Sequence, residues 1–273
     1  MKYILLIIVA LIISFGVGYI VARLILGNSA AKHKGIKYVI ITSACGVVLV
    51  ASAFFVYVGI HYEPDEEAIA ALAGNENVTV SEIDNGYFFD GPSATSAIIF
   101  YPGAKVECTA YAPLMLKIAD SGIDCFLIKM PFNLPMFGTN EADKIVALYD
   151  YDRWIIAGHS MGGVMATDYA GEHPEIIDDI VLLASYPIDE MNNDQRLCLI
   201  YGDKDGCLNK ELYETNKCYR PEQSTEYVIA GGNHAQFGNY GKQKGDGAAL
   251  ISAWDQQNIT VEYITEFVAE RRR

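Results

Sequence analysis

One serine in this sequence stands between glycines. The stretch GHSMGG places Ser160 two residues after Gly158 and two before Gly162, with an apolar run ahead of it and a helical pattern behind it. Glycine weakens helices and strands, so it belongs where the backbone turns sharply or a neighbour comes very close. A serine on such a turn between a strand and a helix is typical of an enzyme nucleophile. We therefore predict that Ser160 attacks a carbonyl carbon.

A serine nucleophile needs a general base, and His234 is the histidine whose position fits that role. The stretch GGNHAQFG follows the last predicted strand, so its loop lies at the carboxyl edge of a sheet, where ligands bind in open α/β folds. His159 lies inside the serine turn, and we expect its side chain to point away from that of Ser160. The remaining histidines lie beside the N-terminal apolar runs or before a proline: His33, His61 and His173.

The base in turn needs a carboxylate that fixes its tautomer. The stretch YGDKDG follows the next-to-last predicted strand and contains two candidates, Asp203 and Asp205. We predict Asp205, because it lies a few residues past the strand end and directly before a glycine. Asp203 is then a turn residue, and it stays the alternative acid.

The negative oxygen that forms during attack needs hydrogen-bond donors. One predicted donor is the backbone amide of Met161, the residue after the nucleophile. The other is the amide of Ala104, in the loop PGAKVE that follows the apolar run AIIFY. Gly103 lets this loop turn toward the site, or it is a turn glycine without any further role.

The elements that position these residues begin near residue 63. A short acidic helix, PDEEAIAALAG, precedes two strands, VTVSEI and GYFFDG, on either side of a DNG turn. Strands that are apolar throughout then alternate with helices, which indicates an α/β fold with a mostly parallel sheet covered on both faces. The strands are predicted at 97–101, 125–130, 154–158, 180–185, 197–202 and 225–230, and the helices near 108–120, 140–149, 160–172, 208–216 and 257–271.

Six stretches together resemble the bacterial α/β-hydrolase fold-5 family, which is distantly similar to dienelactone hydrolases and esterases. They are FYPGAKVE, KMPFNL, GHSMGG, LLASYP, YGDKDG and GGNHAQFG, and the resemblance covers about residues 63–270. It implies a serine hydrolase without a cofactor and gives the triad roles to Ser160, Asp205 and His234. Dienelactone hydrolases use cysteine where this chain has serine, so the resemblance does not extend to their substrate.

Three further residues are possible substrate-binding residues. Lys105 and Glu107 belong to the family's pattern. Phe132 lies in the stretch MPFNLPMF, which we expect two prolines to keep extended. Part of this segment lines an acyl pocket, or the segment simply packs on the sheet.

The site is expected to be open. The stretch YPIDEMNNDQR, where caps usually enter this fold, is too short for a helical cap. An open site with modest apolar lining favours short or medium acyl groups over long lipid chains.

The first sixty residues contain two uncharged apolar runs, at about 3–22 and 38–60. Each is long enough to cross a bilayer, so two transmembrane helices are predicted. The alternative is a cleaved signal peptide followed by a buried core helix. The connector between the runs carries Arg23, Lys32, Lys34 and Lys37, and basic connectors stay in the cytoplasm. Residues 62–273 then form a catalytic domain outside the cytoplasm, and residues 1–61 form its membrane anchor.

Charge and cysteine content limit the partners. Five of the 20 basic residues and none of the 34 acidic residues lie in the first sixty positions, so the remainder carries a net charge of −19. Such a domain repels nucleic acid and anionic lipid. Ligand spacings typical of zinc sites do not occur, so no metal is expected. Cys207 and Cys218, in the stretch GCLNKELYETNKC, pair in an oxidising compartment or stay unpaired.

These observations predict a membrane-tethered serine hydrolase that cleaves an ester or similar acyl bond of a small molecule through an acyl-enzyme. Two alternatives stay open. An acyltransferase would use the same triad with an alcohol acceptor, and a non-catalytic hydrolase-like domain would bind or scaffold a membrane partner. The sequence leaves the oligomeric state open.

Overall fold

The protein was analysed as a computed structural model that describes residues 2–26, 34–92 and 94–270. The chain divides into two compact units, Met1–Ile60 and His61–Arg273. The predicted connector residues 27–33, including Lys32, and the predicted end of the last helix at residue 271 lie outside the described residues.

The first unit contains two helices, α1 (Lys2–Leu26) and α2 (Lys34–Gly59). They run antiparallel, with the Tyr19 and Tyr38 ring centroids 6.3 Å apart. A Cβ on Gly18 would lie 2.6 Å from the carbonyl oxygen of Thr42, so the absence of a side chain there lets the two backbones approach closely. Small residues at helix contacts are typical of helices that pack within a membrane.

By length and composition, one helix in the described part of the chain can cross a membrane, Gly35–Gly59. Of α1, the side chains of Ile13–Leu26 are described, and this segment is apolar but shorter. The second predicted span is therefore present as a candidate, whereas the first stays a prediction.

The second unit is built on an eight-stranded sheet in the order β1-β2-β4-β3-β5-β6-β7-β8. Strands β1 and β2 form an antiparallel hairpin, β2 pairs antiparallel with β4, and all later neighbours pair in parallel. The mostly parallel sheet predicted from the apolar runs is confirmed. The strands are β1 Thr79–Ile83, β2 Gly86–Asp90, β3 Ser96–Tyr101, β4 Asp124–Ile128, β5 Arg153–His159, β6 Ile177–Leu183, β7 Arg196–Gly202 and β8 Ser224–Ile229.

Helices cover both faces of this sheet and bury two apolar clusters. On one face, Met115 and Phe267 pack in the cluster of α4 and α8. On the other, Tyr169 and Tyr213 pack in the cluster of α6 and α7. The helices of this unit are α3 Glu66–Ala71, α4 Ala112–Asp120, α5 Asp143–Val146, α6 Met161–Glu172, α7 Lys210–Thr215 and α8 Ala253–Ala269.

The helix predicted near 140–149 is much shorter than expected. A 3-10 turn, Thr139–Ala142, leads into the single turn of α5. The chain then leaves the helix because the rings of Tyr149 and Tyr151 pack on Phe126, with centroids 4.7 and 6.1 Å away. Ring packing on the sheet therefore overrides the helical pattern.

Two other boundaries differ from prediction. The last helix begins at Ala253, because the side chain of Ser252 accepts the amide of Asp255 at 3.1 Å and caps it. The segment expected to be extended forms two 3-10 turns, Pro131–Asn133 and Pro135–Phe137. A proline opens each turn, and its fixed φ suits the first position of a helical turn as well as an extended chain.

Candidate active site

Ser160 lies at the turn between β5 and α6, with φ 53° and ψ −122°. This conformation is strained for a residue with a side chain. It is held by the Ser160 amide, which donates to the carbonyl of Leu183 at 2.9 Å, and by the Ser185 hydroxyl, which donates to the Ser160 carbonyl at 2.7 Å. The side chain of Ser160 is partly exposed, as the predicted nucleophile role requires.

The flanking glycines are required by close contact. A Cβ on Gly158 would lie 2.4 Å from the backbone of Gly162, and a Cβ on Gly162 would lie 2.2 Å from the carbonyl oxygen of Tyr101. No side chain fits at either position. The start of α6 therefore lies directly against the end of β3.

The predicted acid and base are hydrogen-bonded to each other. His234 Nδ1 lies 2.8 Å from Asp205 Oδ2, and both side chains are buried. The other carboxylate oxygen of Asp205 accepts the amides of Cys207 and Leu208 at 2.8 and 2.7 Å. Nδ1 thus faces the carboxylate, and His234 Nε2 is buried with no hydrogen-bond partner among the described residues. This nitrogen is the atom available to accept a proton.

Asp203, the alternative acid, is a turn residue. Its Oδ1 accepts the Gly231 amide at 2.7 Å, and its Oδ2 pairs with Lys204 Nζ at 3.1 Å. Lys204, together with the Gly231 amide, lowers the pKa of Asp203 below its usual range. Its carboxylate oxygens are therefore bonded to the turn, whereas those of Asp205 reach His234.

The serine turn and the histidine loop adjoin each other although two strands separate β5 from β8. The ring centroid of His159 lies 4.5 Å from that of His234. The Ser160 hydroxyl is not hydrogen-bonded to His234 Nε2. Catalytic hydrogen bonds of this kind are often long in the free enzyme and shorten when substrate binds.

The loop after β3 leaves one amide free at the predicted oxyanion position. The amides of Gly103, Lys105 and Val106 donate to Tyr111 Oη, the Asn133 carbonyl and the Gly103 carbonyl at 3.1, 2.6 and 3.3 Å. The Ala104 amide has no acceptor among the residues that the structure describes.

The second predicted donor, Met161, is the first residue of α6. The first amides of a helix have no acceptor within the helix, so they are available to an anion.

Two buried residues, His159 and Tyr111, connect the serine turn, the histidine loop and the loop after β3, and of these Tyr111 was not singled out by the sequence. Tyr111 Oη lies 2.8 Å from His159 Nδ1 and accepts the Gly103 amide. Tyr111 therefore joins the loop after β3 to the ring of His159. Burial, and next the neighbouring His234, lower the pKa of His159 well below 6.5. The expectation that His159 points away from the site is incomplete, because its ring packs beside the predicted base.

Glu107 lies in a group of ligand-type side chains rather than alone. The carboxylates of Glu107 and Glu63 and the imidazole of His61 place their ligand atoms within 4.8 Å of one another, and such donors suit a divalent cation. His61 Nε2 already pairs with Glu63 at 3.0 Å, and Glu107 accepts the Thr109 hydroxyl at 3.1 Å. Sequence spacing missed this group because a bridge between Tyr62 and Val106 brings its members together.

Phe132 belongs to an exposed apolar surface. Phe132, Met136 and Phe137 are 48%, 50% and 52% exposed, and we call these three residues the apolar rim. Leu134, which lies between them in the sequence, is buried, with 5% of its surface exposed. Beside Phe132, the Asn133 carbonyl accepts the Lys105 amide of the predicted oxyanion loop. Two residues after Phe137, the Thr139 hydroxyl lies 3.4 Å from Sδ of Met165 in α6.

The segment where a cap was expected to be absent, from 184 to 195, contains no helix. Cys207 and Cys218 carry free thiols, so of the two alternatives the structure contains the unpaired one. Burial, and next the nearby Asp246 and Asp205, raise the pKa of Cys207 to about 11, which disfavours its reactive thiolate.

A sequence model of the alpha/beta hydrolase family matches residues 97–258, more than half of the chain. The chain belongs to the alpha/beta hydrolase family. The resemblance drawn from the six stretches is thereby confirmed. No curated protein matches this alpha/beta hydrolase by sequence.

Several solved structures are similar in fold to this alpha/beta hydrolase. A predicted CIB-like hydrolase from Thermoplasma acidophilum has a TM-score of 0.52 and 16% identity, covering 69% of this chain and 98% of its own. Alpha/beta hydrolase domain-containing protein 10 from mouse has a TM-score of 0.52 and 11% identity, covering 70% and 98%. A dienelactone hydrolase from Anabaena variabilis has a TM-score of 0.50 and 13% identity, covering 70% and 97%. At these identities the likeness shows the fold.

The buried, neutral His159 predicts a pH dependence of stability. Its folded pKa is depressed, so below about pH 6.5 the unfolded chain binds a proton that the folded chain does not. This contribution to stability is present above that pH and is lost as the pH falls. Between about pH 8 and about pH 5, the free energy of unfolding should fall more steeply in the wild type than in His159→Gln, by up to about 1.4 kcal/mol per pH unit. Denaturant unfolding at a series of pH values measures both slopes, and parallel curves would contradict the assignment.

Proposed function

We propose that this alpha/beta hydrolase is a serine hydrolase that cleaves carboxylic esters or closely related acyl bonds. The observation that carries the proposal is the buried pair of Asp205 and His234, whose Nδ1 and Oδ2 lie 2.8 Å apart while Nε2 has no partner among the described residues. Ser160 is partly exposed at the end of β5, at the same edge of the sheet. Membership of a family of hydrolases supports it. The other triad use, acyl transfer to an alcohol, is an outcome of the experiment below.

In the proposed reaction, His234 Nε2 accepts the proton of the Ser160 hydroxyl while Oγ attacks the carbonyl carbon. The amides of Ala104 and Met161 bind the resulting oxyanion. The imidazolium, stabilised by Asp205, then gives its proton to the leaving oxygen, and an acyl-enzyme forms. Water then loses a proton to Nε2 and attacks the acyl carbon, the bond from that carbon to Oγ breaks, and Nε2 returns the proton to Oγ, which releases the acid and regenerates the serine and the neutral imidazole. No metal or cofactor takes part in this proposal.

The apolar rim supports an acyl substrate with some apolar surface. Asn133, beside Phe132, bonds the oxyanion loop, and Thr139, two residues after Phe137, contacts Met165 of the nucleophile helix. An acyl chain that projects from Ser160 would therefore run toward the rim. The rim is half-exposed, and the segment from 184 to 195 adds no helix over it. A surface of this kind covers a short or medium chain but leaves most of a long chain in water.

We also propose that α1 and α2 anchor the enzyme in a membrane as a helical hairpin. The candidate span Gly35–Gly59 and the close packing of Gly18 on Thr42 support this arrangement. The basic connector would lie in the cytoplasm and residues 62–273 outside it. The net charge of −19 after residue 60 suits a domain that is held near a bilayer by its helices and repelled by anionic headgroups.

The triad gives the first test. Ser160→Ala should abolish turnover of p-nitrophenyl acetate and labelling by a fluorophosphonate probe. His234→Ala should lower kcat at least about a thousandfold, since triad residues act as a unit. Asp205→Asn should lower kcat far more than Asp203→Asn, because only Asp205 contacts the imidazole. A larger loss in Asp203→Asn would reassign the acid. Ester formation with added alcohol at the expense of hydrolysis would favour the acyltransferase.

Acyl preference gives the second test. In detergent, butyryl and acetyl esters should be turned over faster than palmitoyl esters. Phe132→Ala should lower kcat/KM for the butyryl ester by about tenfold and change the acetyl ester little, because only the longer chain reaches the ring. Leu148→Ala is the matched control, since Leu148 is 78% exposed and lines a separate groove with Ile83 and Tyr149. A clear preference for palmitoyl would instead indicate a lipase acting at the membrane.

Topology gives the third test. Protease added to intact cells or protoplasts should digest the catalytic unit. A reporter fused to the C-terminus should be active outside the cytoplasm and not within it, because the basic connector stays inside. A fusion that is active only in the cytoplasm would reverse the proposed orientation without affecting the proposed chemistry.

A further inference from the structure

The carboxylate of Asp246 accepts three backbone amides from the segments that carry the predicted acid and base, and a fourth from its own neighbour Gly247. Asp246 was not singled out by any sequence motif and lies in the glycine-rich stretch after His234. The distances are 3.0 Å from the Gly206 amide, 3.2 Å from the His234 amide and 2.8 Å from the Gly247 amide to Oδ1, and 2.9 Å from the Ala235 amide to Oδ2.

Two of these amides belong to the triad segments themselves. Gly206 directly follows Asp205, and the His234 amide is that of the predicted base. Both donate to the same oxygen, Oδ1, so one atom holds together two chain segments that lie on different loops. Hydrogen bonds to an ionised carboxylate are roughly twice as strong as those between neutral groups.

The backbones around this carboxylate are in tight contact. A Cβ on Gly247 would lie 1.9 Å from the Lys204 carbonyl oxygen, and a Cβ on Gly206 would lie 2.6 Å from the Gly245 carbonyl oxygen. The acid's turn and the Asp246 segment therefore fit against each other without side chains between them. A shift of Asp246 would move the turn that carries Asp205.

We propose that Asp246 is a positioning residue that sets the geometry of the Asp205–His234 hydrogen bond. Its carboxylate fixes the backbone beside Asp205 and the backbone of His234 at one point. The side-chain bond between them then forms at a fixed length and angle. This inference rests on the proposed function, because the hydrogen bond that Asp246 positions is that of the proposed base, His234. Asp246 acts through His234 and Asp205 and has no direct role toward the substrate.

The test compares Asp246→Ala, Asp246→Asn and Asp124→Ala in the full chain, purified in detergent. Asp124 is the matched control. It too is a carboxylate that accepts an amide from a distant loop, Gly91 at 2.8 Å, but it begins β4 and so lies at the opposite edge of the sheet. Three quantities are measured: kcat and KM for p-nitrophenyl acetate, the thermal midpoint, and the downfield proton NMR signal of the Nδ1–H that His234 shares with Asp205.

Asp246→Ala should lower kcat by about 100-fold with a smaller change in KM, as small displacements of catalytic groups do. It should also shift or abolish the downfield signal. Asp246→Asn keeps one acceptor oxygen, so its kcat should lie between those of the wild type and of the alanine variant. If the alanine variant does not fold, the kcat and the downfield signal of Asp246→Asn test the positioning role. Asp124→Ala should lower the thermal midpoint and leave kcat and the signal unchanged.

Two results separate the inference from the proposed function. Unchanged kcat and an unchanged signal in both Asp246 variants would overturn the positioning role while leaving the triad intact. Absence of Ser160-dependent turnover in the wild type, with the signal still lost only in the Asp246 variants, would overturn hydrolysis and keep the positioning role.

Discussion

The site depends on one steric constraint, which is that the first turn of α6 lies too close to the end of β3 for any side chain to stand between them. A Cβ on Gly162 would lie 2.2 Å from the Tyr101 carbonyl oxygen. This approach puts the bend at Ser160, with φ 53° and ψ −122°, and so exposes its hydroxyl beyond the strand. It also places the free amides at the start of α6 beside the loop of Ala104. The predicted nucleophile and the predicted oxyanion donors are thus positioned by the same contact.

Two buried pairs of polar side chains differ in whether every polar atom has a partner. Asp179 is fully buried, and Arg196 bonds both of its oxygens, at 2.8 and 3.1 Å, while also binding the end of α8. That pair has no atom left over. The pair of Asp205 and His234 is equally buried, yet Nε2 has no partner among the described residues. An unpaired buried polar atom is costly, and in the proposed reaction this nitrogen gains a partner in the hydroxyl of the partly exposed Ser160.

The sequence predicted the elements well where one local property decides them. Apolar runs marked the inner parallel strands, because strands buried on both faces need apolar side chains at most positions, whereas the edge strand β8 alternates between exposed and half-buried residues. Prediction failed where a distant contact decides the local conformation. The helix near 140–149 is cut short because Tyr149 and Tyr151 pack on the sheet. Prolines in Met130–Phe137 are compatible with both extended and helical turns, so their presence did not distinguish the two.

The sequence by itself determined the nucleophile turn and the order of the predicted triad, because the glycines around Ser160 and the loops after the strands are local requirements of backbone geometry. Only the tertiary structure decided that Asp205 rather than Asp203 faces His234. Both residues lie on one turn after β7, and what separates them is the direction of the side chain: the Asp205 carboxylate reaches His234, whereas that of Asp203 accepts the Gly231 amide. The same holds for Tyr111 and Asp246. Their contacts join segments far apart in the chain, and such contacts depend on how the sheet and loops pack, which no local pattern encodes.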